Sequence, residues 1–462
     1  MIRFFHFIPG TYFLLGLLEA VSVQFSVFVA PVFRYGLQGA NRFDHAWVYL
    51  PTATVFAFVM YLSMTAMGMY WRGLREDYWG IVFRLAASSL VAVTIMSIIF
   101  YSIPSLALER RVFGYAVIIS FTLILLFRSL HYFFSDHEAL RQRVLVLGTG
   151  KKAGEIDRLR RKSDKAGFTL VGFVHVSGQR DLLPMEKILY SDKPLVELVR
   201  EHEVDEIIVA IDDRRKSFPV DEMLECKMMG VYVVDLSDFL ERQTRRIKLE
   251  TLHPSSMIFS EGYSQAVLKK YSKRLFDIGV SILMLILVWP LMLLTALAIL
   301  LETGMPVLYR QQRVGKGGRL FNVLKFRSMY YKKTDSQEPN WTQVDDERVT
   351  RVGRLIRRIH LDELPQLINV LRGEMSFVGP RPETPQFVEK LSSQIPFYNL
   401  RHKVNPGITG WAQISYPYGS SLKDAVAKLE YDLYYMKQYS MLFDFMIMMQ
   451  TAQAIILGKG MR

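Results

Sequence analysis

Arg143-Val-Leu-Val-Leu-Gly148-Thr-Gly150-Lys-Lys-Ala153 is the stretch on which the fold of this chain turns. A short apolar run enters a glycine turn, and a helix-like segment follows from Lys151. Further strand-like runs lie at Thr169–His175, Glu206–Ala210 and Val231–Asp235, separated by helix-like segments. This alternation predicts a small doubly wound, Rossmann-like parallel sheet over 140–245. The turn also fits the G-x-G-x-x-A form of a dinucleotide cradle, which makes Gly148 and Gly150 candidate cofactor-binding residues. The acid expected about 20 residues on is missing, because the second strand ends at His175. A structural or regulatory module is therefore favoured over a nucleotide site.

Upstream the character changes. Residues 1–131 hold four apolar stretches, near 9–31, 47–70, 81–103 and 112–130. Each is long enough to cross a hydrocarbon core of about 30 Å, so a four-helix transmembrane region is expected. The first is too long for a removed signal peptide and lacks a small-residue cleavage site. Arginines stand on both sides of these stretches: Arg72, Arg75, Arg84 and Arg128 on one, Arg34, Arg42, Arg110 and Arg111 on the other. They therefore bias the topology only slightly.

Across all 462 residues, half are apolar or aromatic, 22% are charged and the net charge is +13. That mixture predicts a membrane part joined to charged soluble parts. A single cysteine, Cys226, excludes a disulfide-stapled scaffold. The positive charge does not call for nucleic acid, since basic membrane proteins use Lys and Arg for topology and for anionic headgroups.

Downstream, 246–270 reads as a linker. Lys273-Arg274-Leu-Phe-Asp277 then leads into the apolar run Ile278–Leu301, with Pro290 in its middle. A proline inside a helix kinks it, so the run is either a kinked span or a re-entrant hairpin. Residues 302–462 carry 23 Lys and Arg against 15 Asp and Glu. The cations gather at Arg310 and Arg313, at Lys325 and Arg327, and at Arg351, Arg354, Arg357 and Arg358, just before Leu361-Asp362-Glu363-Leu-Pro365. Asp362 resembles a helix N-cap, with Glu363 and Pro365 in the first turn. Such a place suits phosphate through free amides, or Mg²⁺ through two carboxylates, or a carboxylate nucleophile. An arginine-rich helix with an acidic cap on a solvated surface fits equally well. Lys332–Asn340 reads as a polar loop. Met441–Leu457 reads as an interfacial helix, because it is short and interrupted by Asp444, Gln450, Thr451 and Gln453.

Six motifs occur in order: Lys273-Arg274-x-Phe-Asp277, Arg310-Gln-x-Arg313-x-Gly315, Lys325-Phe-Arg-Ser-Met329, Leu361-Asp-Glu-Leu-Pro-Gln-Leu367, Phe377-Val-Gly-Pro-Arg381-Pro382 and Pro406-Gly-Ile-Thr-Gly410. Together they resemble the bacterial sugar transferase family, monotopic polyprenyl-phosphate hexose-1-phosphate transferases that start exopolysaccharide and O-antigen synthesis. The likeness covers about 270–462. The upstream half resembles the larger members, which add four transmembrane helices and a degenerate Rossmann-like domain. Gly410-Trp-Ala-Gln and Tyr416-Pro-Tyr-Gly419 look closest to the exopolysaccharide branch.

The resemblance implies that 271–462 is a mainly helical catalytic domain with a re-entrant membrane helix over 272–303. It implies transfer of a sugar-1-phosphate from a UDP-sugar to undecaprenyl phosphate, with release of UMP. Asp362 and Glu363 match a catalytic, Mg²⁺-binding dyad, Asp362 being the nucleophile of a covalent phosphosugar intermediate. Arg357, Lys325, Arg327, Arg381, Arg310 and Arg313 match substrate-phosphate cations. Lys273, Arg274 and Pro290 fall at the lipid interface. The resemblance also implies a bacterial inner membrane with the soluble domains in the cytosol, a lipid-bilayer environment and a homodimer.

Three positions depart from the family pattern: Trp289 where serine is common, Glu374 where aspartate is usual, and Glu383 after the Pro-Arg-Pro. Two other readings stand beside this one. A membrane-anchored nucleotide-sugar dehydratase would need a Tyr-x-x-x-Lys pair, which the chain lacks. A non-catalytic scaffold of polysaccharide assembly would be favoured by an altered dyad, and the dyad is intact.

Overall fold

The computed structural model describes residues 10–36, 46–70, 78–135, 141–159, 164–165, 167–176, 180–190, 193–213, 218–252, 267–330, 348–416, 419 and 421–456. The polar loop expected at Lys332–Asn340, the linker over 253–266, the arginines Arg42, Arg72 and Arg75, and Pro417-Tyr418 lie outside them. Two compact units divide at Thr244 and Arg245.

In the first unit each N-terminal apolar stretch is one helix: α1 (Gly10–Tyr35), α2 (Ala46–Ala66), α3 (Tyr78–Ser102) and α4 (Arg110–Ser135). Small and apolar side chains fill their common core, among them Val23, Val27, Ala30, Phe56, Met60, Leu85, Ala92, Met96, Ala116 and Ile124. The outward faces are apolar too, with Leu17, Phe25, Phe58, Phe83, Leu90, Ile98 and Ile118 exposed. A helix bundle apolar on both its inner and outer faces is built for lipid rather than water. Outward hydroxyls such as Thr54, Thr94, Ser97 and Thr122 donate to the carbonyl four residues earlier, so their polarity is satisfied within each helix.

One charged cluster lies inside this bundle. Arg128 donates from Nε and Nη2 to the two carboxylate oxygens of Glu19, at 2.6 and 3.0 Å. Its Nη1 donates to the Met69 carbonyl at 2.6 Å, and the Tyr70 hydroxyl donates to Glu19 at 2.6 Å. The cluster ties α1, α4 and the turn after α2 through a fully satisfied carboxylate.

The remainder of the unit is a five-stranded parallel sheet in the order β3-β2-β1-β4-β5. Its elements are β1 (Gln142–Leu147), α5 (Lys151–Asp157), β2 (Phe168–Val174), β3 (Ile188–Leu189), α6 (Leu195–Glu201), β4 (Glu206–Val209), α7 (Val220–Met228), β5 (Tyr232–Asp235) and α8 (Leu236–Thr244). Apolar residues cover both faces, Leu145, Ile207 and Val209 on one and Val144, Val146 and Ile208 on the other, as a buried parallel sheet requires. The two-residue β3 carries no sequence signal of its own.

The second unit opens with residues 245–252, which are docked rather than free. Ile247 N donates to the Glu430 carbonyl at 3.1 Å, and Trp411 Nε1 donates to the Arg245 carbonyl at 3.0 Å. Next comes α9 (Val267–Thr303), 37 residues long with Pro290 inside. Helix α9 leads to an antiparallel hairpin of β6 (Leu308–Val314) and β7 (Leu320–Phe326). Then follow α10 (Arg351–Arg358), a 3₁₀ turn at Leu361–Glu363, α11 (Gln366–Arg372) and β8 (Ser376–Val378). The chain ends with α12 (Pro385–Gln394), β9 (Gly407–Thr409) parallel to β8, α13 (Trp411–Ser415), α14 (Leu422–Lys437) and α15 (Met441–Ile456).

In α15 two of the polar interruptions, Asp444 and Thr451, turn inward. Asp444 accepts from Lys273 Nζ at 2.6 Å and from the Tyr435 hydroxyl at 2.8 Å, and Thr451 meets Thr409 at 2.7 Å. Asp444 and Thr451, two of the residues that interrupt this helix, are thus contacts with protein.

The Glu19–Arg128 pair yields a stability prediction. Arg128→Met strands a buried carboxylate and should destabilise by about 3–5 kcal/mol, whereas Arg128→Met with Glu19→Gln should recover part of that loss. Unfolding of the detergent-purified variants checks this, and a double variant no more stable than the single counts against it.

Candidate active site

The dyad lies in a turn, not at a helix cap. His360 takes a left-handed conformation (φ 56°) that ends α10 and throws the chain into the 3₁₀ turn Leu361–Glu363. Helix α11 begins only at Gln366, and Asp362 makes no capping bond to it. The N-cap expected at Asp362 is replaced because Leu364 and Pro365 are themselves helical. Leu361 packs on Ile299, Phe326 and Ile356, so the turn rests on the C-terminal end of α9.

Glu363 is held from two directions. Lys325 Nζ, from β7, and Arg381 Nη2, from the loop after β8, both donate to its Oε1 at 2.8 Å. Burial pushes the Glu363 carboxyl up, but Arg381 and Lys325 together outweigh it and hold the group well below the ordinary range. Asp362 behaves oppositely. Burial and the neighbouring Glu363 charge raise its carboxyl, against the pull of Lys325, His360 and Arg357. Two adjacent carboxylates are thereby driven apart, Glu363 lowered and Asp362 raised.

Supporting contacts set the geometry. Buried Asn369 of α11 accepts from Leu324 N at 3.0 Å and donates to the Asn322 carbonyl at 2.8 Å, clamping α11 to β7 beside Lys325. The same amide donates to Glu374 at 2.6 Å, which gives that departure from the family pattern a place. Arg381 is aimed by its backbone: Arg401 Nη2 donates to the Arg381 carbonyl at 3.0 Å, and Arg313 Nη1 donates to the Pro382 carbonyl at 3.0 Å. Arg401 also bonds the Tyr398 hydroxyl at 2.7 Å and pairs with buried Asp432 at 2.9 Å. The loop crosses the β9 segment so closely that a Cβ on Gly407 would stand 2.1 Å from Gly379 N. Only glycine fits that crossing.

The structure brings Asp362, Glu363, Lys325, Arg381 and Arg357 together, with Arg313 one step behind. The other five candidates lie away from the dyad, Lys273, Arg274 and Pro290 among them having been expected at the lipid interface. Arg327 donates to Thr303 Oγ1 and the Gly304 carbonyl, both at 2.5 Å, and so caps α9. Arg310 pairs with Leu324 across the hairpin and is exposed on the face opposite Lys325. Lys273 donates to Asp444 and to the Val378 carbonyl, and Arg274 donates to the Val370 and Leu371 carbonyls at 2.5 and 2.7 Å. Pro290 lies in the exposed middle of α9. Asn369, Arg401 and Asp432 were not singled out from the sequence; a buried Arg–Asp pair 31 residues apart leaves no local pattern.

The family model described as bacterial sugar transferase matches residues 268–458, and one described as CoA-binding domain matches 65–217. A UDP-glucose:undecaprenyl-phosphate glucose-1-phosphate transferase from Klebsiella pneumoniae is 30% identical over 451 residues, covering 95% of this chain and 93% of its own. The chain belongs to the bacterial sugar transferase family. Such a sugar transferase, with helices apolar on every face, is a membrane protein. A UDP-N-acetylgalactosamine-undecaprenyl-phosphate N-acetylgalactosaminephosphotransferase from Aeromonas hydrophila is 40% identical over 243 residues, 52% of this chain and 56% of the relative. An undecaprenyl-phosphate glucose phosphotransferase from Komagataeibacter xylinus is 35% identical over 330 residues, 70% of this chain and 60% of the relative. The matches to these last two thus span little more than half of each relative's length.

Arg401 gives this transferase a measurable dependence. Arg401→Met leaves Asp432 buried without its cation and should destabilise the protein by about 3–5 kcal/mol. Chemical denaturation reads this, and an unchanged midpoint would contradict the assigned role.

Proposed function

We propose that this protein moves a sugar-1-phosphate from a UDP-sugar to undecaprenyl phosphate, releasing UMP, as the initiating step of exopolysaccharide or O-antigen synthesis. The observation that carries the reading is the asymmetry of the dyad: Glu363 is locked by two cations, while Asp362 beside it makes no hydrogen bond among the described residues. The names of the relatives support the donor and acceptor classes.

A carboxylate oxygen of Asp362 attacks the phosphorus that bears the sugar. The bond from that phosphorus to the UMP oxygen breaks, and UMP leaves. An oxygen of the lipid phosphate then attacks the same phosphorus and displaces Asp362, which makes the kinetics ping-pong. Its raised carboxyl makes Asp362 a better nucleophile than an ordinary aspartate. Lys325, Arg381 and Arg357 meet the negative charge that builds on the phosphoryl oxygens. Two adjacent carboxylates fit Mg²⁺, which is commonly held by one or two carboxylates and substrate phosphates. Asp362 and Glu363 would hold it, and the ion supplies further charge neutralisation of the diphosphate.

The way α9 is fastened supports a membrane arrangement for the catalytic unit. Near its start, Arg274 bonds the carbonyls of Val370 and Leu371. Near its end, Ile299 packs on Phe326, and Glu302 accepts from Arg351 N and Val352 N at 2.8 and 3.0 Å. Arg274 and Ile299 would be about 37 Å apart in a straight helix. Yet Asn369, next to Val370, bonds Leu324, two residues from Phe326. Both ends thus belong to one small body, which supports a helix that bends at Pro290 and re-enters. UDP-sugars are cytosolic, so the soluble parts face the cytosol from the bacterial inner membrane, with α1–α4 as spans. The dyad turn, seated on the end of α9, then lies at headgroup level, where a lipid phosphate is presented.

Radiolabelled UDP-sugar and Mg²⁺ supplied without lipid acceptor should release UMP and leave label on the protein. Asp362→Asn should abolish both, with a loss of at least about 10³-fold, and chelation of the metal should stop transfer. Full turnover by the Asp362 variant overturns the mechanism. Screening UDP-sugars in the same assay identifies the hexose.

A further inference from the structure

The turn that opens the sheet domain has the sequence of a dinucleotide cradle, and the family match over 65–217 is to a CoA-binding domain. Both imply a phosphate resting on the first amides of α5 (Lys151–Asp157). The residues present do not fit one, because a carboxylate of the chain itself is already there. Asp212, in the segment after β4, accepts from Lys151 N through Oδ2 and from Lys152 N through Oδ1, both at 2.9 Å. These are the donors that a pyrophosphate would need.

The two glycines serve the same internal contact. A Cβ on Gly150 would stand 2.1 Å from Asp212 Oδ2. In a dinucleotide turn the second glycine admits the pyrophosphate; here it admits the carboxylate. Gly148 (φ +122°) lets the backbone approach the end of β4, where a Cβ would stand 2.6 Å from the Ala210 carbonyl oxygen.

The other side of the turn is engaged as well. Thr149 Oγ1 donates to Asp181 Oδ1 at 2.5 Å. Asp181 also takes His175 Nδ1 at 2.8 Å and the Tyr190 hydroxyl at 3.0 Å. His175 follows β2, where a ribose-binding acid would stand, and its ring is turned to Asp181 instead. The cradle is thus flanked by carboxylates on both sides, which repel a phosphate as well as block it.

We infer that Asp212 is the resident internal ligand of this turn, and that the sheet domain takes no CoA, dinucleotide or pyrophosphate there. The glycine motif persists because Asp212 needs it. The full-length protein in detergent tests this by hydrogen exchange of the peptide spanning 148–157. Millimolar CoA, NAD or pyrophosphate should leave wild-type protection unchanged. Asp212→Ala and Gly150→Ala should each speed exchange roughly tenfold, the size expected for a lost carboxylate cap. The double variant should exchange no faster than the faster single, since both remove one contact. Ligand-induced protection of the wild type overturns the inference without any variant. So do single variants that exchange at the wild-type rate, or a double variant whose effect is the product of the two.

Discussion

One carboxylate oxygen, Oε1 of Glu363, receives two cations that reach it from separate parts of the catalytic unit. Lys325 comes from a hairpin strand and Arg381 from a loop between short parallel strands. Glu363 itself is largely withdrawn from water, where a lone anion would be costly. The hairpin, the loop and the turn that carries the dyad can therefore take only the arrangement in which the three charges meet. Asn369 and Arg401 are the fixings of that arrangement, one gripping the hairpin and the other the loop. Asp362 beside it takes no such bond, and burial together with the Glu363 charge raises its carboxyl.

Much of this was legible in order along the chain. Four apolar runs became four helices, and the alternation of apolar runs and helix-like segments became a parallel sheet, because each pattern reports its own periodicity. The dyad and Lys325 were legible as residue types suited to a polyanion, and Arg381 through the family resemblance. The second duty of arginine was not. Arg274 and Arg327 close the carbonyl ends of helices α11 and α9, and a helix C-terminus carries partial negative charge as a phosphate does. A sequence cannot separate those two partners, because both ask for the same fork of donors. Asp212 escaped for a different reason: it meets Lys151 from 61 residues away, and a lone aspartate after a strand carries no pattern.

The two units use buried charge alike. Glu19 with Arg128 in the helix bundle, and Asp432 with Arg401 beneath the dyad loop, are each buried acids paired with an arginine that also donates to a backbone carbonyl. In both places the pair fixes a turn of main chain that no helix or sheet ladder supports. Specific position, more than net stability, is what such pairs supply.

Lys273 near the start of α9 and Asp444 in α15 are 171 residues apart, yet they form one bond. During synthesis the membrane helix is therefore made long before its partner exists. Its apolar middle can enter lipid at once, but its charged foot has nowhere to dock until the whole catalytic fold has been threaded and closed. Commitment to the bilayer and completion of the enzyme are thus separate events in time, and the second latches the first.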